Sequence, residues 1–461
     1  MNNILKKSYI GDICDINLST YSLSENWKFV NYLDTGNITK NKIENIQYID
    51  LNIDKLPSRA RRKVKLNNII YSTVRPNQMH YGILTQDIPK NFLVSTGFAV
   101  LDVDSTQAEP YFVYYSLIQD DNTTALQAIA EQSTSAYPSI KPSDIKNREI
   151  LLPPLETQQK IAKVLSAIDD KIELNNSINN NLEQQAQAIF KSWFVDFEPF
   201  GGTMPKIWKN GTIEDLSQNI ICGKTPSTSK KEYYGNDIPF ITIPDMHNNT
   251  YVTKTERYLS RLGASSQKNK ILPPNSICVS CIATAGLVSI TAFYSQTNQQ
   301  INSIIPAQEM SSYYIYLLLK SLSKKIIMLG SSGSTTCNLN KGQFAKIEVI
   351  IPDKNVLKKY DEIVSPLFES IKNNQLENEQ LAQLRDTLLP KLMNGEIDVS
   401  KVDIDDILTN QSADKLLFSI LVFEHFYIKI VILIGVTINT MTIFTSNIIK
   451  FKLKKSFTFD N

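Results

Sequence analysis

The chain has 461 residues, and its 48 Lys and Arg against 46 Asp and Glu give a formal net charge of +2. That length is enough for two or three domains with buried cores. A near-neutral charge excludes a basic field over the whole protein, so any nucleic-acid interface must be a local cluster. The five scattered cysteines are typical of a reducing cytoplasm rather than of a disulfide framework, and we expect a cytoplasmic protein. They are Cys14, Cys222, Cys278, Cys281 and Cys337.

Residues 1–152 are predicted to form a first mixed α/β domain. Strand-like runs such as 69–74 alternate with turn signals, and Tyr111–Gln119 has the pattern of a short amphipathic helix. Lys and Arg side chains contact phosphates, and Arg also pairs with guanine edges, so a basic cluster here is a candidate DNA contact. The alternative is an ordinary solvated charged face. The candidates are Arg59, Arg61, Arg62, Lys63, Lys65 and Arg75.

Residues 153–200 are predicted to be a helical region, with a long helix from about Leu155 to Phe194. Its apolar residues recur at alternating steps of four and three, which is a heptad seam. Two asparagines lie in the seam, where an amide weakens pairing but fixes its register. The seam positions are Ile161, Leu165, Ile168, Ile172, Asn175, Asn179, Leu182 and Ile189.

Residues 201–351 are predicted to form a second mixed α/β domain, with a strand near Ile277–Ile282 and a helix near Tyr313–Lys320. Glutamine and asparagine amides pair with adenine edges, which makes Gln296, Asn298 and Gln300 of interest beside the DNA-binding candidates given below. Solvated surface residues are again the alternative. The DNA-binding candidates are Lys224, Thr225, Lys230, Lys231, Tyr233, Tyr234 and Gln299.

Residues 352–402 repeat the first helical region at an offset of 199 positions. The offset places residues 145–153 on 344–352, and both blocks are apolar runs stopped by proline. Because both seams match, we expect the two helices to pair within one chain. Pro366, which stands where the first helix has Ala167, predicts a kink or a late start of the second helix. The second seam is Val364, Leu367, Ile371, Asn374, Asn378, Leu381 and Leu388.

No catalytic or metal site is predicted. Gly223-Lys224-Thr225 ends like a phosphate-binding loop, but position 218, where that motif requires glycine, is Gln218. Cys278 and Cys281 lie three apart in a strand-like run, so they point to opposite faces and are interpreted as buried thiols.

Residues 403–461 form an atypical apolar tail in which 430–449 contain no charged side chain. Twenty such residues are long enough to span a bilayer. Thr, Asn and Ser make up much of the segment, however, and we interpret the tail as a read-through or disrupted terminus, with no membrane association expected.

Several segments resemble the specificity subunits (S, or HsdS) of Type I restriction-modification systems. Residues 152–199, which begin LPPLETQQKIAKVLSAIDD, and 377–399, ENEQLAQLRDTLLPKLMNGEIDV, resemble the family's central and distal conserved regions. GKTPSTSKKEYYGNDIPFIT and IIYSTVRPN resemble parts of its target-recognition domains.

The resemblance implies a division of labour. Each recognition domain would read one half of a bipartite double-stranded DNA target, while the helices set the spacer and dock two modification (methyltransferase) subunits. Restriction (translocase and nuclease) subunits would join that complex. S-adenosylmethionine, ATP and Mg²⁺ would belong to the partner subunits, and this chain would carry no cofactor and no catalysis of its own.

The predicted fold is therefore α+β: two mixed α/β recognition domains separated by two long antiparallel helices in an intramolecular coiled coil, as a pseudo-twofold internal repeat. The alternative function is a coiled-coil scaffold without sequence-specific DNA binding.

Overall fold

The structure is a computed structural model that describes residues 5–85, 88–133, 137–331 and 337–400. The predicted tail, 403–461, lies outside these residues. The chain divides into two compact units, the first made of residues 1–167 with 385–461 and the second of 168–384. Each unit combines one mixed α/β region with parts of both long helices.

The first unit contains short strands and helices in an irregular order, and its last helix continues into the second unit. The elements are β1 (Lys6–Tyr9), α1 (Ile10–Ile13), β2 (Cys14–Ile16), β3 (Phe29–Leu33), β4 (Ile38–Thr39), β5 (Lys42–Ile43), β6 (Gln47–Asp50), β7 (Ala60–Lys63), β8 (Ile69–Ser72), β9 (Tyr81–Ile83), β10 (Phe92–Ser95), β11 (Phe98–Val103), α2 (Pro110–Leu117), α3 (Asp120–Glu131), α4 (Pro142–Lys146), β12 (Glu149–Leu152) and α5 (Leu155–Phe194).

Two four-stranded sheets build the core of the first unit, in the orders β6-β3-β10-β7 and β2-β11-β8-β9. Phe98 and Val94 lie in one apolar cluster, and Val30 and Leu93 lie in another. The chain end β1 pairs antiparallel with β12, Lys6 opposite Leu152, so the strand that leads into α5 is anchored to the start of the domain.

The second unit has its own strands and helices, and ends in the second long helix. The elements are β13 (Lys209–Thr212), β14 (Ser217–Cys222), β15 (Tyr234–Ile241), α6 (Ile243–Met246), β16 (Tyr251–Val252), β17 (Arg257–Leu259), α7 (Arg261–Ser265), β18 (Ile277–Ser280), β19 (Val288–Thr291), β20 (Gln296–Thr297), β21 (Ile301–Pro306), α8 (Ser312–Ser321), α9 (Ser323–Gly330), α10 (Lys341–Ala345), β22 (Glu348–Ile351) and α11 (Lys354–Met393).

A five-stranded sheet, β14-β21-β18-β19-β16, and a three-stranded sheet, β17-β15-β20, organise the second unit. β13 pairs antiparallel with β22, as β1 pairs with β12, so the repeat seen in sequence extends to the strand that closes each domain. The predicted strand at 277–282 and the helix at 313–320 are confirmed as β18 and α8.

The two cysteines of the CxxC pair are buried thiols on opposite sides of the sheet. Cys278 packs with Ile221 and Ile301, whereas Cys281 belongs to the large cluster that contains the helix residues. Burial raises the pKa of each thiol to about 12, so both stay protonated and unreactive at neutral pH. The interpretation as structural thiols is confirmed.

The two long helices run antiparallel where the second unit contains both. Asn175 meets Asn378, and Asn374 meets Asn179, through amide hydrogen bonds of 2.9 and 2.8 Å. Farther along, the ring of Phe194 lies 4.9 Å from that of Tyr360. Residue numbers rise on one helix as they fall on the other, which is the antiparallel pairing that the two seams predict.

Eight of the fifteen seam positions are buried and the other seven are half-buried. Ile161, Leu165, Ile168 and Leu388 are buried, and so are Val364, Ile371 and Leu381. The sequence reading placed Tyr360 in the second seam, but it missed three larger side chains that widen this seam into a core, namely Phe190, Phe194 and Phe368.

The expectation of a late start at Pro366 is wrong, because α11 begins at Lys354 and continues through the proline. Proline removes one backbone donor from the helix. Leu357, Tyr360 and Val364 before it are almost completely buried, so packing holds the first turns in place. Within the described residues, no helix is both long enough and apolar enough to cross a membrane.

Candidate nucleic-acid interface

The basic cluster of the first unit lies on β7, the edge strand of a four-stranded sheet, and on the residues that flank it. Arg59 is exposed, and Arg61 is half-buried with its Nε donating to the Ser58 carbonyl at 3.3 Å. Arg62 is also half-buried, its Nε is inaccessible and has no hydrogen-bond partner, and burial lowers the pKa of its guanidinium. Arg59 and Arg61 are therefore the more accessible cations of this strand.

Carboxylates partly neutralise the lysines of the same cluster. Lys63 forms an ion pair with Glu25 and lies 5.4 Å from the ring centroid of Trp27. The ammonium of Lys65 lies 2.8 Å from a carboxylate oxygen of Asp102. A phosphate that binds either lysine must compete with its carboxylate.

Arg75 occupies a tight turn of the first unit. Its φ of 49° is left-handed, a conformation that costs free energy for a residue with a side chain. Its backbone N–H donates to the Pro138 carbonyl at 2.9 Å, and its guanidinium lies 5.0 Å from the ring centroid of Tyr137. Since that ring is 60% exposed, the turn presents a cation and an aromatic face together at the surface.

A second cation and aromatic pair lies at the start of the second unit's recognition region. The Lys230 ammonium donates to the Tyr233 hydroxyl at 3.0 Å and lies 4.9 Å from its ring centroid, while Lys231 is exposed beside it. Tyr234 instead packs inward, and its hydroxyl donates to the Pro226 carbonyl at 2.9 Å. Lys230, Lys231 and Tyr233 thus form a surface group, and Tyr234 supports it.

The loop after β14 brings Lys224 and Thr225 to the turn between β20 and β21. The Lys224 N–H donates to the Thr297 carbonyl at 2.9 Å, and the Thr225 hydroxyl donates to Gln299 Oε1 at 2.8 Å. Gln299 and Lys224 are exposed. The structure therefore joins the neighbouring candidates Lys224 and Thr225 to a third candidate, Gln299, which lies 74 positions after Thr225.

The other amides of this turn have structural partners. Gln296 is fully buried, and its amide donates to the carbonyls of Ala264 and Gln267, so it does not reach a base edge. Asn298 and Gln300 hydrogen-bond to each other within the turn. Burial of Gln296 depends on contacts 29 and 32 residues away, which the local sequence did not indicate.

Glu183 anchors α5 to the second unit, and sequence analysis did not single it out. Its carboxylate accepts hydrogen bonds from Thr250 at 3.0 Å and Tyr316 at 2.9 Å, and pairs with Lys320. Burial alone raises the pKa of Glu183, but the Lys320 charge and these hydrogen bonds outweigh it and hold the pKa below its usual value. One helix carboxylate thus binds a loop and α8 together.

α11 makes a matching contact through Gln375. Its Oε1 accepts from the backbone N–H of Tyr251 at 3.0 Å, and its Nε2 donates to the carbonyl of the same residue at 3.3 Å. The glutamine amide thereby acts as an extra strand residue on the edge strand β16. Together, Glu183 and Gln375 hold the five-stranded sheet on both helices.

The chain matches one sequence family over two separate segments, residues 5–184 and 205–385. That family is described as the Type I restriction modification DNA specificity domain. The chain belongs to this family. Each matched segment contains one recognition region with its strand β12 or β22 and most of the long helix that follows.

Similar proteins carry the same description along most of their length. The chain is 38% identical over 434 residues to the Type I restriction enzyme HindI specificity subunit of Haemophilus influenzae, a match that covers 79% of this chain and 94% of that protein. It is 28% identical over 426 residues to the MjaIX specificity subunit of Methanocaldococcus jannaschii, with 87% and 94% covered.

A solved structure has the same fold as this specificity-family chain. The Type I restriction-modification S subunit from M. genitalium superposes with a TM-score of 0.54 at 18% sequence identity, covering 85% of this chain and 97% of that one. At this level of identity the likeness supports the α+β architecture.

Proposed function

We propose that this chain is the DNA-specificity subunit of a Type I restriction-modification complex. Each recognition region reads one half of a bipartite double-stranded target, and the two long helices set the spacer between the halves. The observation that carries the proposal is the repeat: the family matches twice, and each copy ends in a 40-residue helix that pairs antiparallel with the other.

The dimensions suit this role. A helix of 40 residues is about 60 Å long, and one turn of B-DNA is about 34 Å. Side-chain anchors such as Glu183 and Gln375 limit movement of a recognition region on its helices. A rigid support is what fixed spacing between two half-targets requires.

The chain acts without catalysis of its own, in the cytoplasm, as one part of a larger assembly. Two modification subunits dock on the helices, bind S-adenosylmethionine and methylate adenine. Restriction subunits add ATP- and Mg²⁺-dependent translocation and cleavage. In support, the chain is similar to named specificity subunits over most of their length.

The test is to express the chain with a modification subunit in a host that lacks adenine methylation, and to sequence the methylome. We expect one two-part motif with a fixed gap, absent when either protein is omitted. Methylation without a two-part motif, or a motif that does not depend on this chain, would contradict the proposal.

A further inference from the structure

The segment Gly223-Lys224-Thr225 has a role other than the phosphate-binding loop it resembles. It lies directly on the turn from Thr297 to Gln300: the Gly223 N–H donates to the Ile301 carbonyl at 3.1 Å, and the Lys224 N–H to the Thr297 carbonyl at 2.9 Å. A Cβ on Gly223 would lie 2.2 Å from the Asn298 carbonyl oxygen. Only glycine allows the segment to approach so closely.

The turn itself is fixed on both sides of Gln299. Asn298 Nδ2 donates to Gln300 Oε1 at 2.9 Å, and the Gln300 N–H donates to Asn298 Oδ1 at 3.0 Å. The Asn298 N–H donates to the Ile241 carbonyl at 3.2 Å, and the Gln300 carbonyl accepts from Cys281 at 2.8 Å. The backbone of Gln299 is therefore held in one place.

The side chain of Gln299 is exposed but oriented. An exposed glutamine ordinarily keeps many rotamers, whereas here the Thr225 hydroxyl donates to its Oε1 at 2.8 Å. This is the side-chain hydrogen bond that the described residues provide for Gln299. Both Nε2 hydrogens and the second lone pair of Oε1 are left for an external partner.

We propose that Gln299 reads an adenine in the half-target recognised by the second unit, with Thr225 as its positioning residue. The inference rests on the proposed function. In the major groove adenine offers an N7 acceptor and an N6 donor, which match the Nε2 donor and the free Oε1 lone pair. Guanine offers two acceptors at the same edge, N7 and O6. Its O6 would face the Oε1 acceptor of Gln299 with no hydrogen between the two oxygens, so guanine is disfavoured.

The neighbouring side chain fits the same role. Lys224 is exposed, next to Thr225, and its backbone is fixed to the same turn. An ammonium there is suited to a phosphate flanking the base that Gln299 contacts. The segment Gly223-Lys224-Thr225 thus supports the turn that carries Gln299. Gly223 allows the close approach, Lys224 supplies a cation, and Thr225 supplies the hydroxyl that orients Gln299.

The test uses the full chain in complex with its modification subunits. Selection from randomised duplexes first defines the wild-type target.

Competition binding then compares Gln299→Ala, Thr225→Val and Thr225→Ser on targets with each base at every position. Gln299→Ala is expected to lose about 10- to 100-fold preference for adenine at one position of one half-target. Thr225→Val should lose part of it, and Thr225→Ser, which retains the hydroxyl, should keep it.

A base analogue separates recognition from folding. Replacing that adenine by 7-deazaadenine removes the N7 acceptor, and should weaken the wild type while leaving Gln299→Ala unchanged. Equal weakening of Gln299→Ala on all sequences, or an unaltered preference, would overturn this inference while the two-part target of the wild type still stood. A wild type that selects no two-part target would overturn the proposed function and this inference with it.

Discussion

Asn175 donates to Asn378 at 2.9 Å, and the internal repeat of the sequence predicts a second, equivalent contact between the two long helices. Adding the offset of 199 carries 175 to 374 and 179 to 378, so the Asn374 to Asn179 bond of 2.8 Å is the same contact made from the other helix. The amide pairs therefore mark the point about which the two helical copies are equivalent. A slipped register would separate both pairs at once.

Asn175→Ala is expected to destabilise the protein by about 1–3 kcal/mol, because the half-buried Asn378 Oδ1 loses the amide that donates to it. Asn175 is fully buried and also donates to Glu377 at 2.7 Å. Urea unfolding measures the change, with Asn180→Ala on the exposed face of the same helix as control. Equal stability of the two variants would show that the amide contributes nothing.

Glu183→Gln is expected to lower stability at neutral pH by on the order of 2 kcal/mol, since Lys320 loses its buried partner. The folded pKa of Glu183 lies below its unfolded value of about 4.3, so its contribution is complete above that value and is lost as pH falls through the folded pKa. The difference between wild type and variant, from urea unfolding at pH 7 down to pH 3, should shrink with acid. A constant difference would contradict the ion pair.

Native thiol labelling should reach Cys222 first. Cys222 is partly exposed, whereas Cys14, Cys278 and Cys281 are buried, and burial raises the pKa of each to about 12. Mass spectrometry after brief N-ethylmaleimide treatment at pH 7.5 locates the label. All five cysteines should react in urea, and rapid native labelling of Cys278 would contradict the sheet packing.

Arg59→Ala with Arg61→Ala should weaken duplex binding by the assembled complex and reduce the salt slope by about 1 to 2. Arg59 is exposed and Arg61 is half-buried, whereas Arg62 is excluded from the test because its Nε is buried and the variant would perturb packing. Binding at 50 to 200 mM salt gives the slope. An unaltered slope would favour the scaffold alternative for this face of the first unit.

Gly223→Ala should shift the turn that holds Gln299, because its Cβ would meet backbone at 2.2 Å. We expect a lower melting temperature and relaxed sequence preference in one half-target only. Gly342→Ala is the matched control, since its Cβ would meet only Asn340 Oδ1 at an ordinary 3.4 Å. If the two variants had the same melting temperature and the same sequence preference, the turn would lie outside the DNA-recognition surface.

The sequence predicted the helical part of the fold well. The first helix has the predicted bounds, Leu155–Phe194, because a heptad pattern is a local signal that recurs along its whole length. Of the two outcomes expected at Pro366, the late helix start was wrong. Proline is a local signal, whereas Tyr360 is buried against Trp193 and Phe194 of the first long helix, which are distant in sequence.

The candidate interface could be predicted only in part. Basic clusters are visible in sequence, but the carboxylates that neutralise Lys63 and Lys65 lie 38 and 37 positions away. The hydrogen bond between Thr225 and Gln299 joins residues 74 positions apart, and no periodic pattern in the sequence predicts it. Such long-range contacts decide whether a polar side chain is exposed and able to contact DNA or is buried and stabilises the core.

The first compact unit is assembled from opposite ends of the chain. The Lys160 ammonium donates to the Ser400 carbonyl at 2.7 Å across 240 positions, and residues 385–400 complete the unit that begins at the N-terminus. The second unit is one unbroken stretch of chain and can fold as soon as it is synthesised. In the first unit, by contrast, Ile161 lines a small cavity together with Leu392, which is synthesised much later. A messenger cut short before codon 388 therefore yields a product whose first half cannot cover its apolar helix face, and which is exposed to aggregation and proteolysis.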